Sequence, residues 1–284
     1  MEFEEKTYQV NKVTLHTREA GPADGTLMLF LHGFPEFWYG WKHQLAYFAA
    51  NGFRVIAPDQ RGYNLSSKPQ GEAAYHLNIL STDIAELIKQ VTNQKVILTG
   101  HDWGGAVAWT VADRYPELLE KLIVLNMPHP EVMKSFLKSH PKQMLKSWYA
   151  GFFQLPWLPE AVCKAFNYKI LELSMTTSAA KNAFSSEDLK YYKTAWKHPG
   201  ALKAMLHWYR ANPVARLEIS ESIEVPTLLL WGKKDTFLSE EMALPSIEKC
   251  TNGQLIFLKD ASHWLHHENP ELVNRFMFNF VKAS

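Results

Sequence analysis

The sequence predicts an α/β protein with a mostly parallel eight-stranded sheet, helices on both faces, and a helical segment inserted late in the chain. Three observations carry that expectation. Short continuous apolar runs recur along the chain, as strands buried on both faces require. Helical spacings lie between several of those runs, which makes the strands parallel rather than hairpin-paired. One long interval then breaks the alternation and carries aromatics at helical spacing, with no buried-strand run.

Taken in order, two β-rich segments open the chain, around Tyr8-Gln9-Val10 and Val13-Thr14-Leu15-His16. Leu27-Met28-Leu29-Phe30-Leu31 is apolar throughout and ends in the turn His32-Gly33-Phe34-Pro35. Runs of the same kind follow at Arg54-Val55-Ile56-Ala57, Val96-Ile97-Leu98, Leu122-Ile123-Val124-Leu125, Thr227-Leu228-Leu229-Leu230-Trp231 and Leu255-Ile256-Phe257-Leu258. Leu80 to Val91 and Gly105 to Tyr115 have helical periodicity, and Glu271 to Val281 is an amphipathic terminal helix. From Pro130 to Ile223 the chain carries Trp148, Tyr149, Phe152, Phe153, Trp157, Phe166, Tyr168, Tyr191, Tyr192, Trp196, Trp208 and Tyr209. The expected division is a core of residues 1–129 and 224–284 and a helical cap of residues 130–223, inserted between the sixth and seventh strands.

Composition narrows the function classes. With 284 residues, 46% hydrophobic and 21% charged, the chain has an ordinary globular balance and is long enough for a large core. A net charge of +1, with no Lys/Arg run, excludes a nucleic-acid footprint. Met1-Glu2-Phe3-Glu4-Glu5-Lys6 lacks the apolar core of a signal peptide, and no stretch reaches membrane-spanning length. A cytoplasmic protein is expected. Cys163 and Cys250 form neither a disulfide framework nor a metal spacing. The oligomeric state is unreadable from sequence.

The chemistry concentrates at Gly100-His101-Asp102-Trp103-Gly104-Gly105. An apolar run precedes it and a helix-compatible run follows, the layout of a nucleophile elbow with aspartate in place of the usual serine. A carboxylate there is suited to displacing a leaving group at saturated carbon and becoming an ester. Such an ester needs a base to hydrolyse it, and the base needs an orienting acid. Asp235 follows the run ending at Trp231, and His263 follows the run ending at Leu258, in the order this layout demands. The one rival loop follows Leu125 and holds Asn126, which has no charge to offer. His266 and His267 lead into the last helix, where solvent-facing or capping roles are expected. His263, His266, His267 and Glu268 match no zinc spacing, so no metal or cofactor is expected. The backbone N–H groups of Phe34 and Trp103 are expected to converge beside Asp102 as an oxyanion site.

These motifs make the chain resemble the α/β-hydrolase superfamily and, within it, the soluble epoxide hydrolases. The resemblance covers nearly all of the chain and rests on His32-Gly33-Phe34-Pro35-Glu36, the Asp102 elbow, Asp235 and His263-Trp264. Two further motifs carry it, Tyr149 in Tyr149-Ala150-Gly151-Phe152-Phe153-Gln154-Leu155-Pro156 and Tyr209 in His207-Trp208-Tyr209-Arg210. The resemblance implies that Tyr149 and Tyr209 bind and protonate an epoxide oxygen, and that Glu36 helps place the hydrolytic water. It implies substrate or water contacts for His32, Pro35, Glu36, Trp103, Phe153 and Trp264. His207 and Trp157 depart from the family pattern, at positions where asparagine and glycine are usual, and bear on pocket shape.

The leaving group separates this reading from its nearest rival, a dehalogenase with the same aspartate nucleophile. A halide leaves as a stable anion, whereas an opened epoxide is an alkoxide that must receive a proton. A tyrosine hydroxyl gives one at neutral pH. Phe34 stands where dehalogenases tend to carry asparagine, and no arginine follows the nucleophile to hold a haloacid carboxylate. A non-catalytic receptor of the same fold conflicts with an intact nucleophile, acid and base. The aromatic interval implies an apolar small-molecule epoxide, aryl-bearing ones included, with water as co-substrate.

Overall fold

In a computed structural model of the chain, the structure describes residues 2–212 and 222–283. Six strands precede the long helical interval: β1 (Glu4–Val10), β2 (Val13–Ala20), β3 (Leu27–Leu31), β4 (Arg54–Pro58), β5 (Val96–His101) and β6 (Leu119–Leu125). Two follow it, β7 (Thr227–Gly232) and β8 (Gly253–Leu258). They form one sheet in the order β1-β2-β4-β3-β5-β6-β7-β8, antiparallel only where β2 meets β1 and β4. Each apolar run read from sequence lies within one of these strands.

Burial explains why the inner runs are apolar without alternation. In β3, Leu27, Leu29 and Leu31 join the core on one face, while Met28 and Phe30 join the core on the other. Val96 and Leu98 against Ile97, and Leu229 and Trp231 against Leu228 and Leu230, repeat the same division. Each such side chain contributes about 1.5–3 kcal/mol by leaving water. The helices α1 (Lys42–Ala50), α2 (Leu77–Val91) and α3 (Trp103–Arg114) join successive strands and cover these faces. α2 buries Leu77, Leu80, Ile84, Leu87 and Ile88, the stripe its periodicity foretold, and starts three residues earlier than the spacing indicated.

Between β6 and β7 come α4 (Pro130–Ser139), α5 (Pro141–Lys146), α6 (Trp148–Phe152), α7 (Leu158–Ser178), α8 (Ser186–Lys197) and α9 (Ala201–Ala211). Among the described residues this interval holds helices and, at its end, the lone bridge of Ile223 to Cys250. Residues 213–221 of the expected cap lie outside the described residues. α10 (Ala243–Ile247) links β7 to β8, and α11 (Leu265–Glu268) and α12 (Pro270–Lys282) close the chain. Among the described residues no helix is long and apolar enough to cross a membrane.

The parallel strands bring four loops to one edge of the sheet. Phe34 lies just past β3, Asp102 just past β5, Asp235 just past β7 and His263 past β8. A crevice at the carboxyl ends of the strands is where an open α/β sheet places its ligand.

Candidate active site

The elbow is built by glycine. Asp102 has φ 49° and ψ −127°, a conformation that costs a non-glycine residue about 1–3 kcal/mol. The surroundings hold it there. A Cβ on Gly100 would stand 2.3 Å from the Gly104 carbonyl oxygen, and one on Gly104 would stand 2.2 Å from that of Leu31. Strand, helix and the β3 loop therefore meet closer than any side chain allows. The turn pushes the Asp102 carboxylate up from the sheet, where the Phe34 N–H donates to its Oδ1 at 2.8 Å. The side chain makes no capping bond to α3, and Phe34 is the expected oxyanion donor seen hydrogen-bonded to it. Trp103 packs its ring edge-on against Tyr209, with centroids 5.1 Å apart.

His263 and Asp235 complete the group. His263 Nδ1 lies 2.7 Å from Asp235 Oδ2, and its Nε2 faces Asp102 Oδ2 at 3.7 Å. A carboxylate at Nδ1 keeps the ring proton there and leaves the Nε2 lone pair toward Asp102. Asp235 is fixed from every side: Phe237 and Leu238 N–H groups donate to Oδ1 at 2.7 and 2.9 Å, and Asn126 Nδ2 donates to Oδ2 at 2.5 Å. Burial would raise the Asp235 carboxyl, but the His263 charge and these bonds hold it below its ordinary value. Burial would lower His263, but Asp235, and after it the Asp102 and Glu36 charges, raise it above its ordinary value.

Asn126 was passed over in sequence because it carries no charge. It is nonetheless the keystone of the acid, fully buried at φ 43° with its Oδ1 accepting the Gly232 N–H at 2.9 Å. Asn126→Ala is expected to leave the buried Gly232 N–H unsatisfied and to remove one of the bonds to Asp235, at a cost of about 1–3 kcal/mol. A thermal melt reads that loss, and a slower His263-dependent step should accompany it.

A cavity of about 470 Å³ opens onto Asp102 and His263. Phe34, Pro35, Phe237 and Trp264 line it from the sheet side, and Tyr149, Phe153, Leu171 and Tyr209 from the helical interval. Tyr149 and Tyr209 sit 60 positions apart in sequence, yet their ring centroids are 6.0 Å apart. Burial, and then the negative charges of Asp102 and Asp235, push the Tyr149 hydroxyl up. Tyr209 is raised well above its ordinary value by burial, then by Tyr149 and Asp102. Both are neutral acids at physiological pH.

Three expected contact residues lie elsewhere. His32 does not line the cavity; its Nε2 accepts the Gln60 N–H at 3.0 Å and its carbonyl accepts Gln60 Nε2 at 2.6 Å, fastening β3 to the β4 loop. Trp103 packs Tyr209, as above. Glu36 is buried below the cavity, where its Oε1 accepts from Tyr192 Oη at 2.5 Å and from His267 Nε2 at 2.7 Å. His266 Nε2 and His101 Nδ1 approach its Oε2 at 3.4 and 3.5 Å. The expectation that His266 and His267 face solvent or cap a helix is overturned, since both are buried against this carboxylate. Burial would raise Glu36, but His267 first and then the other imidazoles hold it well below its ordinary value. His207 and Trp157 line a separate surface groove with Glu160 and Arg210, so their departure from the family pattern does not shape the cavity wall.

The α/β-hydrolase fold family model matches residues 26–270. A Bacillus subtilis relative, AB hydrolase superfamily protein YfhM, is 50% identical over 273 residues, covering 96% of each chain. Human epoxide hydrolase 4 is 40% identical over 274 residues, 94% of this chain and 75% of that protein. The chain belongs to the epoxide hydrolase family of the α/β-hydrolase superfamily. Among solved structures, a variant of the Bacillus megaterium epoxide hydrolase complexed with its naphthyloxy-propanediol product is 33% identical, with a TM-score of 0.91. The match covers 98% of this epoxide hydrolase family member and 100% of that chain.

Proposed function

We propose that this protein is an epoxide hydrolase that forms and then hydrolyses an ester on Asp102. One arrangement carries the reading: a carboxylate with Oδ1 held by Phe34 and Oδ2 free toward the cavity, opposite two tyrosines on a separate wall. Asp102 Oδ2 attacks an epoxide carbon, the carbon–oxygen bond breaks, and a tyrosine hydroxyl protonates the departing oxygen. The charge on Asp102 is one reason both tyrosines resist ionisation. Alkylation removes that charge, so their acidity rises as the alkoxide forms. His263 Nε2 then takes a proton from water, which attacks the ester carbonyl. Phe34 N–H, already on Oδ1, stabilises the oxyanion. Collapse expels the second diol oxygen and restores Asp102.

The substrate is an apolar epoxide, aryl-bearing ones included, because the lining is largely aromatic and the volume suits a small molecule. The aryl ether product of the Bacillus megaterium relative supports that class. The described helices α4 to α9, residues 130–211, act as the cap that brings the acid to the nucleophile.

The tyrosine pair is the feature a dehalogenase does not need, and it supplies the test. Tyr149→Phe and Tyr209→Phe are each expected to slow ester formation and raise the apparent KM. The double variant should lose nearly all ring opening, by more than the product of the single effects, because each hydroxyl backs up the other. Rapid-quench intact-mass measurement of the alkylated enzyme reads the step. Fast ring opening by a folded double variant would reinstate the dehalogenase reading.

A further inference from the structure

Beneath the active site lies a second concentration of ligating groups that the reaction above leaves largely unused. Glu36 comes from the loop after β3, while His266 and His267 come from α11, so three donors meet from two distant segments. One ligand atom of each lies within 4.8 Å of the others, and all three residues are buried. Their contacts are uneven. Oε1 of Glu36 is satisfied by Tyr192 and His267, but Oε2 has no hydrogen-bond partner. Neither ring nitrogen of His266 has one either, although the residue is fully buried.

Unpaired polar atoms in a dry interior are costly. Here they point at one another. His266 Nε2 stands 3.4 Å from Glu36 Oε2. Ligand atoms about 2.0–2.1 Å from a tetrahedral zinc ion lie about 3.3 Å apart, so this spacing is that of two corners around a cation. His101 strengthens the case. Its Nε2 is 2.9 Å from the His263 carbonyl oxygen, which accepts only a proton-bearing nitrogen. In the neutral ring that leaves Nδ1 with a lone pair, 3.5 Å from the same Glu36 oxygen. A lone pair set against a carboxylate is repulsive, and a cation placed between them converts the contact to attraction.

We propose that Glu36, His266 and His267 form a buried site for a divalent first-row cation of the zinc class, with His101 Nδ1 beside it. Carboxylate and imidazole together select this class over magnesium or calcium, which prefer all-oxygen shells. The sequence offered no such pattern because Glu36 lies 230 positions before His266. Entry requires local opening, so loading is slow.

The test uses the full chain stripped with chelator and incubated with Co²⁺ or Zn²⁺. One equivalent of Co²⁺ is expected to bind and to give the visible d–d bands of a four- or five-coordinate nitrogen–oxygen site, without thiolate charge transfer. His266→Gln and His267→Gln, each checked by its thermal melt, should weaken Zn²⁺ at least tenfold in competition with a chromogenic chelator. Asp102→Asn should leave binding unchanged, which separates this site from the catalytic group. Absence of stoichiometric binding overturns the proposal, as does binding that survives both histidine changes or disappears in Asp102→Asn. Since metal binding is read spectroscopically, a failed epoxide reaction leaves this result standing on its own.

Discussion

Asp102→Ala is expected to abolish diol formation, by at least about 10⁴-fold, with the fold intact. The loss is that large because, among the described residues, the neighbouring carboxylates are withdrawn from the cavity. Oδ2 faces the space between the two walls, while Glu36 lies below and Asp235 is enclosed by four hydrogen-bonding neighbours. Asp102→Asn separates nucleophilicity from architecture. Its amide oxygen still accepts the Phe34 N–H, and its thermal melt should match that of the parent. Steady-state diol formation measures both variants. Near-normal turnover in the alanine variant would place the nucleophile elsewhere.

His263→Gln is expected to stop the cycle halfway. Glutamine fills much of the same space but takes no proton from water, so ester forms and does not hydrolyse. Intact-mass measurement should show an increase equal to the mass of the substrate, because epoxide addition expels nothing. Substrate consumption without that adduct would show that His263 is not the base of the second step.

The same pair predicts a pH dependence. His263 is raised in the folded state, so its contribution to stability is complete below its unfolded value, about 6.5, and is lost as pH rises through the folded value. Asp235 is lowered, so its contribution is present above its unfolded value, about 3.9, and is lost as pH falls through the folded value. The ion pair therefore supports the fold most in the acid-to-neutral range between those limits. Catalysis asks for the opposite at His263, since the base must be neutral. Ester hydrolysis should rise with pH along a limb set by His263. Asp102 helps raise His263 and is uncharged in the ester, so that limb should lie below the His263 value of the free enzyme. Single-turnover rates against pH, compared with NMR titration of the free imidazole, measure the difference.

What sequence could reveal here follows from how local each feature is. The strands were legible because both faces of the inner part of β3, β5, β6 and β7 are buried, which leaves apolar side chains at consecutive positions there. The elbow was legible because close packing at Gly100 and Gly104 excludes any side chain, so the constraint is written as residue type. Asp235 and His263 followed from their positions after strands. Asn126 was missed because its role depends on an acid 109 positions away, and a neutral amide carries no signature of that partner. His266 and His267 were misread for the same reason. Histidines next to a final helix look exposed until a buried glutamate from another loop supplies their partner.

The most direct measurement is a single turnover in H₂¹⁸O with enzyme in excess over an aryl glycidyl ether. In the proposed reaction, one diol oxygen comes from the epoxide and the other from Asp102, while water oxygen enters the carboxylate. The first diol formed should therefore carry no label, and the peptide containing Asp102 should gain one ¹⁸O. Label in that first diol, with an unlabelled Asp102 peptide, would mean that water attacks the epoxide directly and would contradict the ester.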